Sequence, residues 1–82
     1  MRGWAPLTRA PDDIRQGLGD ALRQLRVEQR MTQEMLAERA GVHPNYISDI
    51  ERGKRNVAVV NLTHIAGAFG LHAWELLERA GL

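Results

Sequence analysis

The sequence predicts an all-α chain, a bundle of five short helices. Three observations lead there. Apolar residues recur three to four positions apart, the spacing of one helix face, in segment after segment. Glycine and proline fall between those segments, where helices end and begin. No stretch alternates apolar and polar residues with the period of a half-buried strand.

The opening "MRGWAPLTRA" carries Gly3 and Pro6 and has no periodicity, so residues 1–10 are read as a flexible arm unless Trp4 docks on the domain. Residues 11–82 are then the domain. Pro11 starts the first helix, with Asp12 or Asp13 expected to cap its free N–H groups and Ile14, Leu18, Ala21, Leu22 and Leu25 forming its apolar face. Gly17 and Gly19 weigh against that helix, each costing about 1 kcal/mol relative to alanine in a helix interior, but the apolar stripe outweighs them.

A second helix follows Thr32 in "TQEMLAERA", with Leu36, Ala37 and Ala40 inward and Gly41 placed to end it in the left-handed conformation. After a short turn, His43 is expected to cap a third helix over residues 44–52, in which Pro44 occupies the first turn, where a missing N–H costs nothing. Gly53 closes it. Leu62, Ile65, Ala66 and Phe69 mark a fourth helix ending at Gly70, and "AWELLERAG" reads as a fifth.

Composition narrows the function classes. The chain has 82 residues, 44% hydrophobic and 26% charged, and no cysteine, so it is one small domain without disulfides or thiolate metal sites. Its longest apolar runs, "VAVV" and "IAGAF", are far shorter than the roughly 18 residues a membrane span needs, which points to a cytoplasmic protein with no membrane partner. His43, His64 and His72 have no metal-ligand spacing, and Ser48 stands in no nucleophile motif. "GLG" at residues 17–19 lacks the strand and third glycine of a dinucleotide site. No enzyme, cofactor, metal or small-molecule ligand is therefore expected.

Formal net charge is only +1, yet Arg52, Lys54 and Arg55 crowd together directly after the third helix. On a helical wheel Ile47 and Ile50 share the inner side of that helix, with Asn45, Ser48, Asp49 and Arg52 opposite. Two short helices joined by a tight turn have the form of a helix-turn-helix, whose second helix enters the DNA major groove. Asn45 suits adenine N6 and N7, and Asp49 can accept from cytosine N4 while repelling phosphate. Tyr46 can donate to a phosphate or lie against a thymine methyl. Arg52 and Lys54 would neutralise phosphates, and Arg55 would reach a base edge. The bland alternatives are a solvated helix-ending loop for the basic cluster and ordinary surface polarity for Asn45 and Ser48.

"TQEMLAERAGVHPNYISDIERGKRN" resembles the lambda repressor and Cro-like (Xre-type) helix-turn-helix DNA-binding family, through Thr32-Gln33-Glu34, Leu36-Ala37, Ala40-Gly41-Val42, Ile47-Ser48, Ile50-Glu51 and Gly53. The likeness spans about residues 14–77 and implies a five-helix lambda-repressor-like bundle. "NYISDIERGKRN" is also similar to small controller proteins of restriction-modification systems. The resemblance implies a homodimeric, sequence-specific transcriptional regulator on double-stranded DNA, associated with the nucleoid. It assigns Gln33 to a phosphate or to buttressing the recognition helix, and it implies an ion pair between Arg26 and Glu51. Pro44 stands where the family often has a polar residue, which moves the expected readout to Asn45, Tyr46, Asp49 and the loop through Asn56. The fifth helix has two apolar sides, and the one with Ala73, Leu76 and Ala80, extended by Leu82, is the expected dimer contact. An antitoxin or protein-interaction adaptor built on the same fold is the alternative.

Overall fold

A computed structural model describes residues 9–82. The arm, with Arg2 and Trp4, lies outside the described residues except for Arg9 and Ala10, both exposed. Five helices follow: α1 (Pro11–Glu28), α2 (Gln33–Ala40), α3 (Pro44–Glu51), α4 (Val59–Ala68) and α5 (Ala73–Arg79). The described residues contain no strand.

α1 begins two or three residues earlier than a cap at Asp12 or Asp13 would place it. Ala10 is the N-cap and makes no side-chain cap, so neither Asp12 nor Asp13 caps the helix. Pro11 already has its φ locked near the helical value, which puts both aspartates inside the first turn. There they complement the helix dipole, and Asp12 pairs with Arg15. α2 is capped by Thr32, whose hydroxyl accepts from the Met35 N–H at 3.1 Å. α3 is capped by His43, whose Nδ1 accepts from the Asn45 N–H at 3.1 Å.

Each helix stops in the same way, with a residue at positive φ and a hydrogen bond from the following N–H back to the carbonyl five positions earlier. Glycine fills four of these positions, and Arg30, with φ 57°, fills the one after α1. After α2 this motif needs only Gly41 (φ 73°), Val42 and His43 to turn the chain into α3, with Val42 N–H donating to Ala37 O at 3.0 Å.

The core draws on all five helices: Leu22, Leu25, Leu36, Ile47, Ile50, Ile65 and Leu76 are its largest fully buried side chains. Each contributes about 1.5–3 kcal/mol by leaving water. Ile14 lies at the exposed beginning of α1 and takes little part. Gly17 and Gly19, which weakened the sequence argument for α1, are places where other backbone comes close. A Cβ on Gly19 would meet the carbonyl oxygens of Ile50 and Glu51, the latter at 2.9 Å, and one on Gly17 would lie 2.8 Å from the Ala80 carbonyl oxygen. α3 and the end of α5 therefore dock directly on α1.

That docking corrects the expected orientation of α5. Leu76 is fully buried, and Ala73 and Ala80 are half-buried against the core, so this small-residue side faces inward. The outward side carries Trp74, 62% exposed and stacked on His72, with Leu82 exposed beyond the helix.

Candidate nucleic-acid interface

α3 is held from beneath by one carboxylate. Glu51, in its last turn, is 2% exposed, and its oxygens receive Arg26 Nε at 2.8 Å and Arg26 Nη2 at 3.0 Å. Gln33 Nε2 donates to Glu51 Oε1 at 3.2 Å, and Arg23 Nε lies 3.4 Å from the same oxygen. The third guanidinium nitrogen of Arg26 donates to Met31 O at 3.0 Å. Burial pushes the Glu51 carboxyl up, but hydrogen bonds from Arg26 and Gln33 and the charge of Arg26 outweigh it, so the group sits below the usual carboxylate range. Arg26, through its hydrogen bond to Glu51, is held above its own usual value. α1, α2 and α3 are thus joined at one point, on the side of α3 that turns away from solvent.

The opposite side of α3 is polar. Asn45 and Arg52 are exposed and Pro44, Ser48 and Asp49 are half-buried along it. Tyr46 lies on the flank, its hydroxyl accepting from Asn61 Nδ2 of α4 at 3.3 Å. Arg55 folds back from the loop to place its guanidinium 5.3 Å from the centre of the Tyr46 ring, within cation–π range. Asp49 Oδ1 accepts from Arg52 Nη2 at 2.6 Å and Asp49 Oδ2 from Arg55 Nε at 3.3 Å. The Arg52 hydrogen bond, with Arg55 adding to it, holds the Asp49 carboxyl below its ordinary value. Lys54 is exposed, and its ammonium makes no hydrogen bond or ion pair among the described residues.

Tyr46, Asp49, Arg52 and Arg55 therefore form one cluster, with Asn45 and Ser48 along the same helix and Lys54 beside it. Two residues point elsewhere. The Asn56 side chain accepts from Arg15 Nη1 at 2.8 Å, which ties the loop to α1, and the Gln33 amide is spent on Glu51. Gln33 buttresses α3 in this arrangement. Sequence reasoning did not anticipate Arg23, Asn61 or Arg15 as supports. Arg23 carried a legible signal, since it precedes Arg26 by one helical turn and so shares its side. Asn61 and Arg15 carried none, because each meets its partner across the fold.

A short polar helix, set after a tight turn and anchored on its inner side, has the geometry that major-groove recognition needs. The helix-turn-helix family profile matches residues 22–73, from within α1 to the start of α5. The chain belongs to the helix-turn-helix family. As a member of this family it is a DNA-binding transcriptional regulator. Control protein C.BamHI of Bacillus amyloliquefaciens is 43% identical over 68 residues, covering 82% of this chain and 84% of that protein. The restriction-modification controller protein C.AhdI from Aeromonas hydrophila superposes with a TM-score of 0.73 at 37% identity, over 76% of this chain and 94% of that one. The clp gene regulator ClgR from Corynebacterium glutamicum gives a TM-score of 0.78 at 35% identity, over 83% and 72% of the two chains. No helix among the described residues of this helix-turn-helix protein is long and apolar enough to cross a membrane.

Proposed function

We propose that this helix-turn-helix protein is a controller of a restriction-modification system. It would bind an inverted-repeat operator as a homodimer with one α3 in the major groove of each half-site. The observation that carries this reading is the two-sidedness of α3: Asn45 lies exposed on a polar side flanked by Arg52, Lys54 and Arg55, while Glu51 anchors the other side. Lys54 and Arg52 position the helix on phosphates, and Gln33 supports it from α2. Asn45, Asp49 and Arg55 read bases, with Tyr46 and Ser48 lining the same groove, Pro44 at its end and Asn56 holding the loop to α1. The protein acts by binding, without catalysis or cofactor, in the cytoplasm at the nucleoid.

The two-fold contact is assigned to apolar side chains that the core leaves outside: Val59 and Val60 at the start of α4, 75% and 65% exposed, and Trp74 on α5. Paired recognition helices would then stand one DNA turn apart, about 34 Å. The kinship with controller proteins, over more than four-fifths of the chain, supports the restriction-modification role. Selection of bound sequences from a random duplex pool tests the operator. Two symmetric half-sites are expected, and a single asymmetric site would contradict the dimer. Equilibrium sedimentation is expected to show dimer at tens of micromolar, and monomer alone with and without DNA would contradict it as well.

A further inference from the structure

We infer that Asp49 is a specificity-determining positioning residue, an internal competitor that withholds Arg52 and Arg55 from the phosphates of unrelated DNA and releases them on a matching operator. The inference rests on the reading of α3 as the DNA-facing helix.

One carboxylate serves two guanidinium groups, with Arg52 Nη2 on Oδ1 at 2.6 Å and Arg55 Nε on Oδ2 at 3.3 Å. Both oxygens of Asp49 are thus engaged, each by a different residue. Arg55 is further located by the Tyr46 ring at 5.3 Å, and Tyr46 is itself held by Asn61 at 3.3 Å. Each arginine of the cluster thus has a partner within the protein. The ammonium of neighbouring Lys54 has no partner among the described residues.

A carboxylate and a phosphate offer a guanidinium the same kind of paired oxygen acceptors. Asp49 and a DNA phosphate therefore compete for the same donors. Binding to unrelated duplex is carried almost wholly by phosphate neutralisation, so a protein whose two arginines stay on Asp49 binds it weakly. A cytosine N4 amino group at the right position donates to Asp49. The carboxylate then has a partner from the DNA, and both arginines are released, Arg52 to the backbone and Arg55 to a base edge. A guanine or thymine there offers no amino donor, and leaving Asp49 for phosphate would then strand a carboxylate against a polyanion. One correct base contact in this way releases two arginines to the operator.

The test uses the full chain, its selected operator and an unrelated duplex of equal length, followed by fluorescence anisotropy across a salt series. Asp49→Asn is expected to bind the unrelated duplex about tenfold more tightly near 0.1 M salt. The dependence of log affinity on log salt should steepen by about 1 to 2, the slope of one or two added phosphate contacts. The ratio of operator to unrelated affinity should fall about tenfold. Glu78→Gln, the same charge change at an exposed position on α5, is expected to leave the unrelated duplex within about twofold of wild type. Three results overturn the inference: wild-type affinity and slope for the unrelated duplex in Asp49→Asn, a change of preference confined to one base pair, or an equal gain in Glu78→Gln. Failure of the underlying reading shows separately, because Asn45→Ala and Lys54→Ala would then bind both duplexes as wild type does, and the inference falls with it.

Discussion

Arg26 lies edge-on to Glu51, with Nε on one carboxylate oxygen at 2.8 Å and Nη2 on the other at 3.0 Å, across the contact between α1 and α3. Both side chains are shielded, at 16% and 1% exposure. Removing one member strands the other's charge, which typically costs about 3–5 kcal/mol. Glu51→Ala is therefore expected to lower the urea midpoint strongly, while Glu38→Ala on the exposed side of α2 shifts it by less than about 0.5 kcal/mol. Equal shifts in chemical denaturation would remove the bridge from the account.

The same carboxylate sets an acid limit. Its folded value lies below the usual 4.5, so its stabilising contribution is fully present above that value and is lost as pH falls through the lower, folded one. Melting temperature should accordingly decline once pH drops below about 5. Asp49 shifts in the same direction, so the decline has more than one source. In Glu51→Gln, which has lost the titrating group, the decline between neutral and acid pH should be shallower than in wild type. Parallel profiles for the two proteins would assign the acid sensitivity elsewhere.

Two glycine substitutions are expected to have opposite signs. Gly19→Ala pushes a methyl group into the α3 backbone carbonyls and should destabilise by about 1–3 kcal/mol or more. Gly67→Ala meets nothing within 4 Å, on an exposed position inside α4, and should stabilise by roughly 0.5–1 kcal/mol. Thermal unfolding of the two variants reads both. A neutral Gly19→Ala would mean that the α1–α3 contact is looser than described.

Asn45→Ala and Lys54→Ala separate base reading from backbone positioning. The first should relax preference at one operator position by about 1–3 kcal/mol. The second should weaken every sequence alike and reduce the salt slope by about 1. Affinities for the operator and its single-base variants, each at several salt concentrations, measure both, and exchanged behaviour would reverse the assignment.

Much of this molecule was legible in the chain because its signals are local. Thr32 and His43 precede their helices, Gly41 and Gly53 follow theirs, and Leu36, Ile47, Ile50 and Ile65 repeat with the helical period, so element type and inner side follow from near neighbours. What was misread depends on partners far along the chain. Gly17 and Gly19 weigh against a helix only until the carbonyls of Ala80 and Glu51 are known to lie against them. α5 has two apolar sides of similar strength, and which one turns inward is set by its packing on distant helices, where Leu76 is fully buried. Asp12 and Asp13 lie inside the first turn rather than at the cap because Pro11 already starts the helix. At the site, residue types pointed to a polar outward side of α3, but not to Asp49 engaging two of its basic neighbours.

The support of α3 through Glu51 divides labour between its two sides. Arg23, Arg26 and Gln33 hold the helix by groups that never reach its outward surface, so Asn45, Ser48 and Asp49 are free to diverge without loosening the scaffold. A lineage carrying this arrangement can be re-addressed to a new operator by a few outward replacements, each tried on a fold that stays intact.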